Sequence, residues 1–139
     1  MSDTTLNRHL FVYGSLLSGE GHPMGQRLAR EARLLGPATL KARLYAVSWY
    51  PGIVESASSA DLVHGEVLAL ADPAAALTWL DAYEGIKRGP TSVTKPADYA
   101  RVERNVRLAS GDALTAWVYV YQGAVDGKRH IAGGRWSDR

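Results

Sequence analysis

The sequence predicts an α+β fold in which strands dominate and helices pack against them. Three observations predict it. Short apolar or alternating runs recur at residues 9–13, 39–47, 62–70, 99–108 and 113–121, as expected of strands. Residues 26–35 and 72–83 carry apolar side chains at helical spacing. Residues 113–121 are apolar on both faces, with Leu114, Ala116, Val118 and Val120 on one and Thr115, Trp117, Tyr119 and Tyr121 on the other. A strand covered on both sides suggests a barrel packed by helices.

Each element has a local reason. His9 to Tyr13 is a short apolar run that stops at Gly14-Ser15, as a buried strand entering a loop does. Gly19, Gly21, Pro23 and Gly25 keep the next stretch irregular. Leu28, Ala32 and Leu35 share one helix face, and Gly36-Pro37 is expected to end that helix. Leu40, Ala42, Leu44 and Ala46 alternate with Lys41, Arg43 and Tyr45 in the next strand, Tyr50-Pro51-Gly52 turns the chain, and Ile53-Val54 is a short strand. The strand 62–70 is interrupted by Gly65. Asp72-Pro73 opens the second helix, because Asp satisfies free N–H groups and Pro suits the first turn. It runs to about Tyr83 and ends near Gly85; residues 87–98, with Gly89, Pro90 and Pro96, read as a loop. Ser110-Gly111-Asp112 joins the last two strands as a hairpin. The tail after residue 124 is polar, with Trp136 placed to dock back on the body.

The 139 residues point to one domain with a core over about 9–123 and a polar tail over 124–139. An apolar fraction of 46% is enough to offset chain-ordering entropy, so wholesale disorder is excluded. There is no cysteine, which excludes a disulfide scaffold and thiolate chemistry and fits a cytoplasmic location. No run is long enough to span a bilayer, and the polar start Met1-Ser2-Asp3 does not read as a signal peptide. The net charge is only +2, and the densest basic stretch, Arg27, Arg30 and Arg33, is broken by Glu31. Neither membrane nor nucleic acid is therefore an expected partner.

Four groups of residues carry candidate chemistry. Tyr13, Gly14, Ser15 and Leu16 follow the first strand; Gly lets a ligand approach the backbone, and successive N–H groups can hold an anion. An ordinary turn explains the same residues. Glu84 lies on one helix face with Leu77 and Leu80, where burial would raise its pKa and suit it to general base and acid work. A solvated glutamate is the alternative, and Asp81, three residues earlier, lies near the same face. Tyr99, Tyr119 and Tyr121 can offer phenol hydroxyls to a polar ligand, or simply pack the core. Arg101 can meet a carboxylate or stand in solvent. His9, His22, His64 and His130 lack metal-ligand spacing, so no metal or other cofactor is expected. Ser15 has no nucleophile elbow around it.

These pieces together resemble the gamma-glutamylcyclotransferase superfamily, in its small avirulence-induced-gene-like branch. The resemblance rests on Leu10-Phe11-Val12 running into Tyr13-Gly14-Ser15-Leu16, then Tyr50-Pro51-Gly52-Ile53-Val54 and Val63-His64-Gly65-Glu66-Val67. It continues through Leu80-Asp81-Ala82-Tyr83-Glu84-Gly85, Tyr99-Ala100-Arg101-Val102 and Ala116-Trp117-Val118-Tyr119-Val120-Tyr121. It implies a small mixed β-barrel with flanking helices and a cavity at the barrel mouth. It implies a small-molecule γ-glutamyl substrate whose α-amine attacks its own γ-carbonyl, giving 5-oxoproline and a released amine. Glu84 would be the general base and then acid, favoured over Asp81 by its motif position. Backbone N–H groups of residues 13–16 would hold the glutamyl part. A leaving amino acid would want a cation for its carboxylate, with Arg101, Lys87 and Arg88 as candidates. A non-catalytic module binding a small acidic metabolite in the same pocket is the competing expectation.

Overall fold

The structure is a computed structural model, and it describes residues 7–14, 16–17, 21–47, 50–83 and 99–138. In chain order its elements are β1 (His9–Val12), α1 (Pro23–Glu31), β2 (Ala32–Ala46), β3 (Pro51–Glu55), β4 (Leu62–Leu70), α2 (Pro73–Tyr83), β5 (Tyr99–Leu108), β6 (Ala113–Tyr121) and β7 (Arg129–Ile131), then a 3-10 turn, Trp136–Asp138. The strand order β2-β4-β1-β6-β5 returns to β2 through the pairs Ala38↔Leu108 and Thr39↔Arg107. The sheet thus closes into a barrel, which removes the exposed edges of those strands. It is a mixed barrel: β1 and β6 run parallel at Leu10↔Trp117, and the other barrel pairs are antiparallel.

Side-chain alternation sorts the apolar residues into two cores. Phe11, Val63, Val67, Val106 and Val118 fill the barrel. Leu10, Val12, Leu68 and Leu70 point the other way and pack with Leu28 of α1 and Leu77 and Leu80 of α2. The two-faced pattern of β6 follows from this: Ala116, Val118 and Val120 enter the barrel core, while Trp117, Tyr119 and Tyr121 join the outer cluster. Gly65 sits inside β4, not at a break in it, paired with Ala38. A Cβ there would lie 2.1 Å from the Val12 carbonyl oxygen and 2.8 Å from the Phe11 ring.

The first helix differs from the expectation. It starts earlier, at Pro23, where the His22 Nδ1 accepts from the Met24 N–H at 3.0 Å. It ends at Glu31, and Ala32, Arg33 and Leu34 already pair with Leu70, Ala69 and Leu68. Gly36-Pro37 therefore marks a bulge within a 15-residue strand and not a helix end. Gly36 has φ +140°, a conformation only glycine takes readily. The second helix begins as expected, with the Asp72 carboxylate accepting from the Ala75 N–H at 3.2 Å. Residues 87–98, read as a loop, lie outside the described residues.

Two further contacts complete the body. Glu31 ties the helices together: it accepts from the Trp79 indole N–H at 2.9 Å and from Arg27 Nε at 3.1 Å. The indole hydrogen bond leads the interactions that hold the Glu31 carboxyl below the usual range, with Arg27 and Arg30 adding to it. The polar C-terminal segment returns to the barrel. β7 pairs with β2, Ile131 and Trp136 join the interior cluster, and the His64 N–H donates to the Gly134 carbonyl at 2.7 Å.

Gly65→Ala should lower the unfolding free energy by about 2 kcal/mol or more, since the new methyl meets backbone that cannot yield; chemical denaturation reads this. Trp79→Phe keeps the ring and removes the N–H donor. It should raise the Glu31 pKa toward its ordinary value, which a carboxyl NMR titration reads directly.

Candidate active site

The loop after β1 is held from two sides. Tyr13 is buried, its ring 6.3 Å from Phe11 in the barrel core, and its hydroxyl donates to the Tyr119 carbonyl at 2.6 Å. The Leu17 N–H donates to the Gly14 carbonyl at 3.0 Å, which closes a tight turn. Leu16 is buried in the outer cluster. Gly14 lies against Pro51, so closely that a Cβ would come within 2.6 Å of the proline Cγ. Glycine is required there because the turn and the Pro51 ring approach without room for a side chain. Ser15 lies outside the described residues.

Pro51 begins a tyrosine-lined patch. The Tyr99 hydroxyl donates to the Pro51 carbonyl, and the Tyr99 ring meets Tyr121 edge-on at 5.7 Å and Tyr50 at 6.5 Å. Tyr99 and Tyr121 are also cross-strand partners. Gly52 packs beneath Tyr121, where a Cβ would lie 2.7 Å from the tyrosine Cβ. Gly14, Pro51, Tyr99 and Tyr121 therefore form one neighbourhood at the end of the barrel where β1 and β6 finish.

A buried ion pair stands next along β5. Asp81, on the last turn of α2, is only 5% exposed. It accepts from Arg101 Nε at 2.7 Å and Nη2 at 3.1 Å, and from the Tyr119 hydroxyl at 2.6 Å. Three donors on one carboxylate give it the compensation that a buried charge needs. The Arg101 guanidinium also lies 4.4 Å from the centre of the Trp117 ring, a stacking position. Tyr119 thus serves both parts of the site. Its carbonyl holds Tyr13 and the loop, and its hydroxyl holds Asp81 and the end of α2.

The sequence-predicted residues fall out as follows. Gly14, Tyr99 and Tyr121 are brought together around Pro51 and Gly52, while Tyr13 turns into the barrel interior and Leu16 into the outer cluster. Tyr119 and Arg101 are cross-strand partners beside them. The Tyr13 and Tyr99 hydroxyls donate to backbone carbonyls and that of Tyr119 to Asp81, so these phenols act first as anchors. Glu84 lies outside the described residues; in sequence it directly follows the last residue of α2. Asp81 was visible as an alternative to Glu84, and its spacing of four from Leu77 is the signal that it belongs to the buried stripe. Pro51 as a hydrogen-bond acceptor carried no signal, because any residue offers a carbonyl. A cleft of about 630 Å³ is lined by Leu17, Thr39, His64, Glu66 and Arg107 among others. Among the described residues, no group of three His, Asp or Glu side chains stands close enough to hold a metal ion, and no helix is long and apolar enough to cross a membrane.

Comparison with known proteins bears on the family and the fold. The profile of the family described as gamma-glutamyl cyclotransferase, AIG2-like, matches residues 10–138. The chain is 35% identical over 131 residues to the gamma-glutamylcyclotransferase family protein YtfP of Escherichia coli K12, covering 94% of this chain and 96% of that one. It is 33% identical over 135 residues to a putative gamma-glutamylcyclotransferase of Vibrio cholerae, covering 95% and 98%. The solution structure of E. coli ytfP superposes with a TM-score of 0.64 at 35% identity over 94% of this chain and 97% of that one. An aig2-like protein from Mus musculus superposes at 0.62 over 86% and 80%; at 20% identity it speaks for the fold alone.

Asp81→Ala should cost about 3–5 kcal/mol, because it strands the largely buried Arg101 guanidinium. Tyr119→Phe should cost about 1.5–3 kcal/mol, the range for one hydrogen bond to a charged group. Urea unfolding of the two variants checks both the values and their order.

Proposed function

The chain belongs to the gamma-glutamyl cyclotransferase, AIG2-like family and is a cyclotransferase-like enzyme, and we propose that it releases 5-oxoproline from a γ-glutamyl amide or γ-glutamyl peptide. In this reading the substrate's α-ammonium loses a proton, and the freed amine attacks the γ-carbonyl carbon. A tetrahedral intermediate forms, the bond to the leaving nitrogen breaks, and that nitrogen takes up a proton. The products are 5-oxoproline and an amine or amino acid. Both reactants lie in one molecule, so the enzyme's task is to hold the ring-closing conformer and to move one proton.

One observation carries the reading. Tyr119 locks the turn at Gly14 and the last turn of α2 to a single strand through its carbonyl and its hydroxyl. The turn offers backbone N–H groups for the glutamyl carboxylate or the developing oxyanion. Glu84, the residue after α2, is the proposed base and then acid; a carboxylate with a raised pKa serves both steps. Tyr13, Gly14, Ser15 and Leu16 are proposed to seat the glutamyl end, with Tyr99, Tyr119, Tyr121 and Arg101 forming the wall beside it. The nucleophile comes from the substrate, which suits a chain without cysteine, and the absence of cysteine also supports a cytosolic setting.

The test is 5-oxoproline release from γ-glutamyl alanine, a γ-glutamyl alkylamide, γ-glutamyl-ε-lysine and glutathione. Wild type should turn over at least one of them, and Glu84→Gln should lose about 10²–10⁴ in kcat. An unchanged Glu84→Gln rate overturns the assigned base. Saturable binding of the panel with no product favours the non-catalytic module.

A further inference from the structure

We propose that the cleft on the barrel wall at β4, β2 and β5 is a binding site for a compact organic dianion, a phosphate monoester or a dicarboxylate, held by Arg107 and Arg135. The proposal does not depend on the cyclotransferase reading. None of Gly14, Tyr99, Arg101, Tyr119 and Tyr121 lines this cleft. Arg107 stands eight residues beyond Tyr99 on β5, roughly 25 Å along the strand.

Strand register puts three polar side chains in one row. Thr39 of β2 pairs with Arg107 of β5 and with His64 of β4. Their chain neighbours Ala38, Val106 and Val63 belong to the barrel interior. Alternation therefore turns Thr39, Arg107 and His64 outward together, and all three line the cleft. A second arginine comes from the C-terminal segment. Trp136 is buried in the interior cluster, and the Gly134 carbonyl accepts from the His64 N–H at 2.7 Å. Arg135 lies between these two fixed points, so an exposed side chain of a polar tail is held at the cleft. Cations whose main chain is already ordered lose less freedom when a ligand arrives.

Charge pairing sets the two arginines apart. Arg27, Arg43, Arg101 and Arg104 each meet a carboxylate. Among the described residues, Arg107 and Arg135 meet none. Arg107 instead donates from Nη1 to the Gly111 carbonyl at 3.0 Å, which fixes its head group and leaves the edge from Nε to Nη2 as a two-donor fork. Such a fork matches the paired oxygens of a carboxylate or phosphate. Against the two arginines, Glu66 is the one acidic residue among the described residues of the wall. The volume of about 630 Å³ is more than an inorganic anion fills and lies in the range of small-molecule sites. Leu17 and Pro37 supply apolar wall for a carbon scaffold.

The test titrates glycerol phosphate, malate and inorganic sulfate into isotope-labelled full-length protein, followed by heteronuclear NMR. Saturable shifts are expected at the amides of Thr39, His64, Arg107 and Arg135 with at least one of the two organic ligands. Arg107→Gln and Arg135→Gln should each weaken that binding on the order of 10-fold or more, as for losing a hydrogen bond to a charged group. Both side chains are exposed, and an otherwise unchanged amide spectrum verifies that the variants fold. Arg30→Gln makes the same change of net charge on α1 and should leave the affinity as it was. Tighter binding of glycerol phosphate identifies the phosphate class and tighter binding of malate the dicarboxylate class; either supports the site. The absence of saturable shifts with both ligands at millimolar concentration overturns it. An equal loss in Arg30→Gln overturns it too, because binding would then follow bulk charge. Sulfate binding as tightly as the organic ligands does the same, since the carbon scaffold would then contribute nothing.

Discussion

Tyr119 bears on the arrangement of the site from both of its polar groups. Its carbonyl accepts the Tyr13 hydroxyl, which sets where β1 ends and the following turn begins. Its own hydroxyl reaches Asp81, which sets where the last turn of α2 lies on the sheet. Asp81 is buried and charged, and such a group is tolerated only when its donors are all in place. Arg101 and Tyr119 supply them from adjacent strands. The loop, the helix end and two strands are therefore coupled through a few short polar contacts rather than through apolar packing alone.

A buried ion pair is not needed for stability. Apolar residues of similar volume commonly serve as well or better. What the Asp81–Arg101 pair adds is direction: it orients a planar cation, which lies over the Trp117 ring at 4.4 Å. The same logic applies to the tyrosines. Their rings supply buried area, and their hydroxyls tie named points of the main chain to one another. A surface that must recognise a small polar molecule benefits from such rigidity, because little freedom is then lost on binding.

The barrel supports this site through a single long strand. β2 pairs with β4 and β5 along the barrel and with β3 and β7 beyond it. Its register against β4 shifts at the Gly36-Pro37 bulge, where the missing side chain and the missing N–H are both tolerated, and it passes from β4 to β3 further on, between Lys41 and Ala42. The Pro37 carbonyl still takes the Ala109 N–H at 2.9 Å, so closure of the barrel passes through the bulge. Trp136 and Ile131 fill the interior from the C-terminal side, so the polar composition of the last segment conceals two core residues.

Much of this was legible in the residues. β5, β6 and α2 match their expected bounds because their signals are local: alternation, an Asp-Pro start, and a two-faced strand that requires cover on both sides. The resemblance in motif order, confirmed at the level of family and barrel, rests on the same residues. The end of α1 was not legible, since Ala32 and Leu35 satisfy helical spacing and strand alternation equally well, and only the partners Leu68 to Leu70 decide between them. By itself the sequence determined the classes of element, the family and the set of candidate side chains, because periodicity, caps and motifs are written in neighbouring residues. Only the tertiary structure decided that Asp81 is a buried anchor, that Arg101 is gripped along one edge, and that the Tyr13 and Tyr99 hydroxyls are spent on main-chain carbonyls while that of Tyr119 goes to Asp81. Those contacts join residues 20 to 106 positions apart, and half of the acceptors are backbone oxygens that every residue carries alike.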